Sequence, residues 1–501
     1  MSAEHLDVLI VGAGIAGITT AYRLQTRCPD KSYAIVERRA DLGGTWDLFR
    51  YPGIRSDSSM STLGFPFRPW TDPRSIAGGG RIAQYIGDTA RHFAIDDKIR
   101  YRHAVTAASW SSQTSLWTVQ VRTEEDAEPV VLTCKFLYMC SGYYDYDRGY
   151  RPDFPGYDTF AGDVLHPQHW PENYDYTGKR IVVIGSGATA LTLVPAMAET
   201  AKHVTMLQRS PTYIMSLPGT DPLVSQLHRK LPEPLAAGLL KWKGLLLGEA
   251  SYRFCRAFPD RAARFLRDGI ARALNDPADV GEHFTPDYKP WDQRLCLVPD
   301  ADLFTALNAG AASVVTATID TFTERGIRLN SGEVLDADVI VTATGPTMQP
   351  CGGVRIDVDG SEVDLGSAFL YRGVLLSGVP NFGLCLGYSN ASWTLRADIS
   401  ARYLCRLLSF MDRNGYRQAV PRYRGDVERA RPALDLASGY VARGAAAFPK
   451  QGQRAPWRRT HYIRDSIEGR FGFISRSMDF AASSAGPVAI PTATELEKSP
   501  A

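Results

Sequence analysis

"LDVLIVGAGIAGITTAYRL", Leu6 to Leu24, reads as a short apolar strand, a glycine turn and an amphipathic helix. Gly12, Gly14 and Gly17 have the GxGxxG spacing, which serves a tight turn, a close approach of backbone to pyrophosphate and tight packing of helix on strand. Phosphates bound there face a helix N-terminus, where free N–H groups and the helix dipole favour negative charge. A lone GxGxxG is weak evidence. Here "KSYAIVERR" supplies the next strand and ends at Glu37, an acid placed to hold both ribose hydroxyls and to repel a 2′-phosphate. The opening is a βαβ unit suited to an unphosphorylated adenosine ribose.

The same grammar returns in "KRIVVIGSGATALTLVPAMA", with Gly185, Gly187 and Ala190 in the fingerprint positions. Its second strand, "KHVTMLQRSP", ends in Arg209 and Ser210 where the first ends in an acid. A guanidinium there suits a dianionic 2′-phosphate, so NADP is favoured over NAD. Two nucleotides in one chain imply FAD in the first unit and NADPH in the second, and hence flavin reduction by a nicotinamide. A disulfide reductase would need a cysteine pair against the flavin. The eight cysteines are scattered with no Cys-x-x-Cys, so only cysteines distant in sequence could form such a pair, and dioxygen is the expected electron acceptor.

The remaining sequence bounds the architecture. A chain of 501 residues holds two to four domains at roughly 100 to 200 residues each. With 44% apolar residues, 22% charged residues and a net charge of +2, composition offers no reason to bind nucleic acid. No zinc spacing occurs, and no metal site is expected. The start "MSAEHLDVLIVGAG" carries an acid early and lacks the basic opening of a secretory signal, so a cytoplasmic location is expected. No apolar run reaches the ~20 residues of a membrane span; "GLLKWKGLLLGEA" is interrupted by Lys241 and Lys243.

Two further strands, "FLYMCSGYY" and "ADVIVTATGPT", end at Gly142 and Gly345 and mark where the chain leaves one unit for the other. The expected division is residues 1–150 as the first part of an FAD domain, 151–345 as an NADP domain, 346–440 as the second FAD part, and 441–501 as a C-terminal tail. Helical spacing between about 217 and 283 predicts an insertion in the NADP domain whose apolar stripe packs as core. "GVPNFGLCLGYSNASWTLRADISARYLCRLL" reads as strand, polar loop and long helix, and its loop Tyr388–Thr394 is a candidate for contacting the flavin ring. The end "ASSAGPVAIPTATELEKSPA" has a composition that favours disorder.

"FAGDVLHPQHWP", just before the second fingerprint, fits the pattern FxGxxxHxxxWP through Phe160, Gly162, His166, Trp170 and Pro171. The chain thereby resembles type I Baeyer–Villiger monooxygenases. "GGTWDLFRYPGIRSD", "GYYDYDRGY", "MLQRSPTYI", "PWDQRLCLVPDADLF" and "LGYSNASWTLRAD" are similar to the branch containing mycobacterial ethionamide-activating monooxygenases, and the resemblance fades after about Arg464. It implies an α/β fold of the flavin-containing monooxygenase type, with two Rossmann-like dinucleotide-binding domains. It also implies that the FxGxxxHxxxWP run is a linker whose histidine couples the domains. A glycine between anchored aromatics is what a hinge needs. A metal reading of His166 and His169 is set aside, because Pro167 disfavours a regular helix and no third ligand lies nearby.

By the same resemblance Arg294 is the active-site arginine and Asp57 its ionic partner. A permanent guanidinium can stabilise an anionic flavin peroxide without protonating it. Several relatives place a lysine just before this arginine, where this chain has Gln293, so tolerance of NADH is an open alternative. The residues expected to hold the two cofactors are Gly12, Gly14, Ile15, Gly17, Glu37, Gly44, Thr45, Trp46, Arg55, Asp57 and Val105, with Gly185, Ser186, Gly187, Ala188, Thr189, Ala190, Arg209 and Ser210. The implied reaction uses NADPH and dioxygen to insert oxygen beside a ketone carbonyl. The alternative is a sulfur or nitrogen oxygenase acting on thioethers, thioamides or amines.

Overall fold

The computed structural model describes residues 4–482, apart from 125, 127 and 435. Strand Glu4–Val11 is buried on both faces: Val8 and Ile10 enter one core, Leu9 and Val11 the other. That accounts for a continuous apolar run in place of an alternating one. Parallel neighbours Tyr33–Val36 and Val130–Met139 flank it at the centre of an eleven-stranded sheet. Helix Ile15–Arg27 follows the glycine turn and packs against the long helix Trp393–Arg413. A buried ion pair, Arg23 to Asp398 at 2.6 Å, joins the two helices.

A second sheet, all parallel, runs in the order Ala312–Thr316, His203–Gln208, Arg180–Ile184, Val339–Thr342, Asp163–Leu165. Its crossover helix is Ala188–Ala198. The chain passes between the sheets twice, and the two passages pair with each other: Tyr144–Gly149 is antiparallel to Pro346–Met348. Strand Phe382–Leu384 then rejoins the first sheet beside Val130–Met139. The fold is thus α/β with two dinucleotide-binding units, the second interrupting the first.

Between strands Ile214–Leu217 and Cys296–Pro299, which pair in parallel, lie helices Pro222–Lys230, Glu233–Ala257, Pro259–Ala273 and Asp279–His283. This is the helical insertion. Its apolar stripe packs as core only in part: Ala262, Leu266 and Ile270 on helix Pro259–Ala273 are buried as expected, as are Ala236 and Leu240 on Glu233–Ala257, whereas Leu235, Leu239, Trp242 and Leu246 on the latter are exposed. The periodicity is helical either way, and the sequence carries no mark of whether a neighbour covers it.

Residues 441–482, assigned to a tail, are folded onto the first unit. Strand Met478–Ala481 pairs with Gln418–Pro421, and Asp465 in helix Tyr462–Phe471 forms a buried ion pair with Arg396 at 3.0 Å. The pairing partners lie far apart in sequence, so no local pattern marks them. The end segment expected to be disordered lies, beyond Ala482, outside the described residues. No described helix is long and apolar enough to cross a membrane, and the eight cysteines are buried free thiols.

Candidate active site

A cleft of ≈ 620 Å³ runs between the two units. On the first unit it is lined by Gly12, Gly14, Ile15, Glu37, Gly44, Thr45, Trp46, Arg55, Asp57 and Val105, and on the second by Ala188, Thr189, Thr192 and Arg294. Gly12 has φ +107°, and a Cβ there would lie 2.6 Å from the carbonyl oxygen of Cys140. No other residue fits this turn without shifting the backbone. The cradle is therefore backbone alone, with the start of helix Ile15–Arg27 opening onto the cleft, which suits a pyrophosphate.

Glu37 is buried beside the cradle, where its carboxylate accepts hydrogen bonds from the Ala13 N–H at 2.8 Å and the Arg39 N–H at 2.9 Å. Burial pushes its pKa upward. A carboxylate has about four acceptor sites, so these amides orient it and leave capacity for hydroxyls. Gly17 does not line the cleft; it lies against the Gly12 carbonyl, where helix meets turn.

The second fingerprint is arranged differently. Gly185, Ser186, Gly187, Ala190, Arg209 and Ser210 lie outside the lining of this cleft, while Ala188 and Thr189 reach it. The Ser186 hydroxyl donates to the Ser210 carbonyl at 2.9 Å and so ties the fingerprint to the end of the neighbouring strand. Arg209 is exposed beside them and has no ion-pair partner among the described residues. A cation left uncompensated next to a helix N-terminus suits a phosphate.

Arg294 and Asp57, 237 positions apart in sequence, meet in the cleft with Nε and Oδ2 separated by 2.9 Å. Arg294 also donates through Nη1 to the Ser389 carbonyl at 3.3 Å, which ties it to the loop Tyr388–Thr394. That loop lines the cleft through Tyr388, Ala391, Ser392 and Trp393. The Asp57 carboxylate raises the Arg294 pKa further, so the guanidinium stays charged at any working pH. Arg55 pairs with Asp302 and reaches the Leu191 carbonyl at 3.5 Å, so its charge braces the two units.

Sequence reasoning missed a set of phenols around Arg294. Tyr143 and Tyr144 share a hydrogen bond of 2.6 Å between their hydroxyls, and Tyr143 stacks on Trp393 at 5.0 Å. Tyr440 completes the group from the far end of the chain, within electrostatic reach of Arg294. Burial raises the pKa of all three. The dense run "GYYDYDRGY" was the available signal; Tyr440 had none.

The FxGxxxHxxxWP residues take structural places. Phe160 packs beneath the second sheet with Val182, Leu207 and Ile340. A Cβ at Gly162 would lie 2.4 Å from the Asp338 carbonyl oxygen, so the edge strand Asp163–Leu165 can start only from glycine. His166 then lines the cleft against Gly149, Tyr150 and Gly345, the two interunit passages. Its Nδ1 accepts from the Gln168 N–H at 3.2 Å, and burial, with His169 nearby, lowers its pKa to about 4. No group of three or more potential metal ligands occurs among the described residues.

A family model described as "Flavin-binding monooxygenase-like" matches residues 6–222. The chain is 52% identical over 464 residues to "FAD-containing monooxygenase EthA" of Mycobacterium tuberculosis, covering 92% of this chain and 94% of the relative. Among solved structures, "Oxidized steroid monooxygenase bound to NADP" superposes with a TM-score of 0.75 at 22% identity, over 96% of this chain and 100% of that one. "OTEMO complex with FAD and NADP" gives 0.68 at 25% identity, over 84% and 87%.

Proposed function

The chain belongs to the flavin-binding monooxygenase-like family of FAD- and NADP-dependent monooxygenases, and from that premise we propose that it is a Baeyer–Villiger monooxygenase with Arg294 and Asp57 at the reacting centre. The overall reaction consumes a ketone, dioxygen, NADPH and a proton, and yields an ester or lactone, water and NADP⁺. When bound, FAD reduced by NADPH supplies the activation of dioxygen. The chain's own residues hold and orient that chemistry. Gly12, Gly14 and Ile15 carry the flavin's pyrophosphate, Glu37 its ribose, and Gly44, Thr45, Trp46 and Val105 line its course. Arg209, with Ser186 and Thr189, holds the second nucleotide, and its charge selects for the 2′-phosphate.

The observation that carries the reading is the Arg294–Asp57 pair inside the cleft that the first fingerprint lines and that Ala188 and Thr189 of the second unit reach. A fixed guanidinium stabilises negative charge developing on oxygen without giving up its proton. Asp57 orients it and offsets its charge when no anion is present. The Ser389 carbonyl sets its second direction. Tyr143, Tyr144 and Trp393 line the same cleft beside Arg294.

Sulfur or nitrogen oxygenation is favoured by one observation of its own. Heteroatom attack draws on a protonated oxidant, and Tyr143, Tyr144 and Tyr440 are phenols that burial keeps protonated beside Arg294. The two readings separate in a competition between a cyclic ketone and a thioether, with products quantified per NADPH consumed. Lactone as the main product supports the proposal; sulfoxide with no lactone overturns it.

A further inference from the structure

Among the described residues, every large apolar side chain left exposed, except Val131 and Val334, falls within 217–265 or 463–473. On helix Glu233–Ala257 the inner face, Ala236 and Leu240, is buried, and Gly244 abuts Ser61 and Thr62. The opposite face carries Leu235, Leu239, Trp242 and Leu246 at steps of four, three and four, with Leu235 60% and Leu246 57% exposed. The second segment contributes Ile467, Phe471 at 71% and Phe473 at 81%. The two adjoin, since the Lys241 ammonium lies 5.2 Å from the centre of the Tyr462 ring. Contiguous apolar surface of this kind marks a contact with a partner or a membrane.

Charge decides which. Across the insertion, residues 222–283, ten basic side chains stand against seven acidic ones, and three of the acids, Asp276, Asp279 and Glu282, follow helix Pro259–Ala273. Arg261, Arg264, Arg267 and Arg272 have no carboxylate partner among the described residues. Arg261 shares a helix face with exposed Phe265, four positions on. A second copy is disfavoured, because a twofold contact would set these arginines against their own counterparts. Anionic headgroups beneath the same residues neutralise them, while leucine, tryptophan and phenylalanine enter the acyl boundary.

We propose that this face of the helical insertion, with Ile467, Phe471 and Phe473, docks the protein peripherally on an anionic lipid bilayer, the helix lying in the plane of the surface. The test is flotation of the full-length FAD-loaded protein with vesicles of phosphatidylcholine alone and of an equal mixture with phosphatidylglycerol. The protein is expected to float with the mixed vesicles only, and less so at about 1 M salt, where the Debye length is about 3 Å. The triple change Leu239→Glu, Trp242→Glu and Leu246→Glu, all exposed, lowers the partition coefficient by about tenfold or more with FAD content and Tm unchanged. Arg261→Glu with Arg264→Glu removes the preference for phosphatidylglycerol. Flotation with neither vesicle, equal flotation with both, or a triple variant that floats like the parent overturns the proposal. So does a dimer that the triple change dissociates without any binding to lipid.

Discussion

At Gly12 a methyl group is enough to test the cradle. Gly12→Ala forces a Cβ against the Cys140 carbonyl at φ +107°, and the strain is expected to cost about 2 kcal/mol. Thermal unfolding and the FAD content of the purified protein read both consequences. Arg209 tests nucleotide choice. Arg209→Ala is expected to raise KM for NADPH about tenfold to a hundredfold, the worth of one charge-assisted hydrogen bond, and to leave KM for NADH unchanged. Equal effects on both nucleotides would place the 2′-phosphate elsewhere. Glu37 and Arg209 were readable because each ends a strand at a fixed distance from a glycine turn. Arg294 and Asp57 were readable only through resemblance, since nothing local distinguishes an arginine after Gln293 from a surface residue. Tyr440 was not readable, because its role depends on a chain reversal nearly 300 residues after Tyr143.

The linker 160–171 and the helical insertion show what a pattern does and does not contain. Phe, Gly, His and Trp at fixed intervals were legible as fixed points of the chain, and each has a place in the fold, Trp170 packing edge-on against Tyr174 at the second unit's core. The burial of His166 was not legible. Its folded-state value of about 4 lies below the ordinary 6.5, so unfolding takes up a proton between those values. The stability this contributes is present above about pH 6.5 and is lost as pH falls to about 4, on the order of 1–2 kcal/mol once partial exposure is discounted. His166→Asn should flatten that part of the profile, measured as Tm against pH. An unchanged slope would mean that His166 is solvated. The insertion's helices were equally legible from spacing, but the side to which the stripe turns was not, because a 3.6-residue period records a face and not what covers it.

Across the whole molecule, the first unit is assembled from both ends of the chain. Arg23 reaches Asp398, Arg396 reaches Asp465, and Tyr388 donates its hydroxyl to the same Asp465 at 2.8 Å. Truncation after residue 440 strips the carboxylate from a buried arginine, a loss of about 3 kcal/mol or more, and removes Tyr440's neighbours. The truncated chain is expected to be insoluble or to lose FAD, whereas a chain ending at 482 should match the parent in FAD content. The two glycine fingerprints carried the parallel sheets and their order of nesting, since βαβ units build from local signals. The closure of the first unit by 441–482 rests on pairing across long separations, which leaves no periodic trace.

Whether oxygen insertion depends on the charge that Arg294 holds is read from Arg294→Ala with FAD bound. Flavin bleaching by NADPH without air, and ester formed per NADPH consumed in air, are measured on the same sample. Normal bleaching is expected, with hydrogen peroxide in place of product and ester formation lower by about a hundredfold or more. Ester formation at the parent's rate and yield would mean that oxygen insertion does not depend on Arg294.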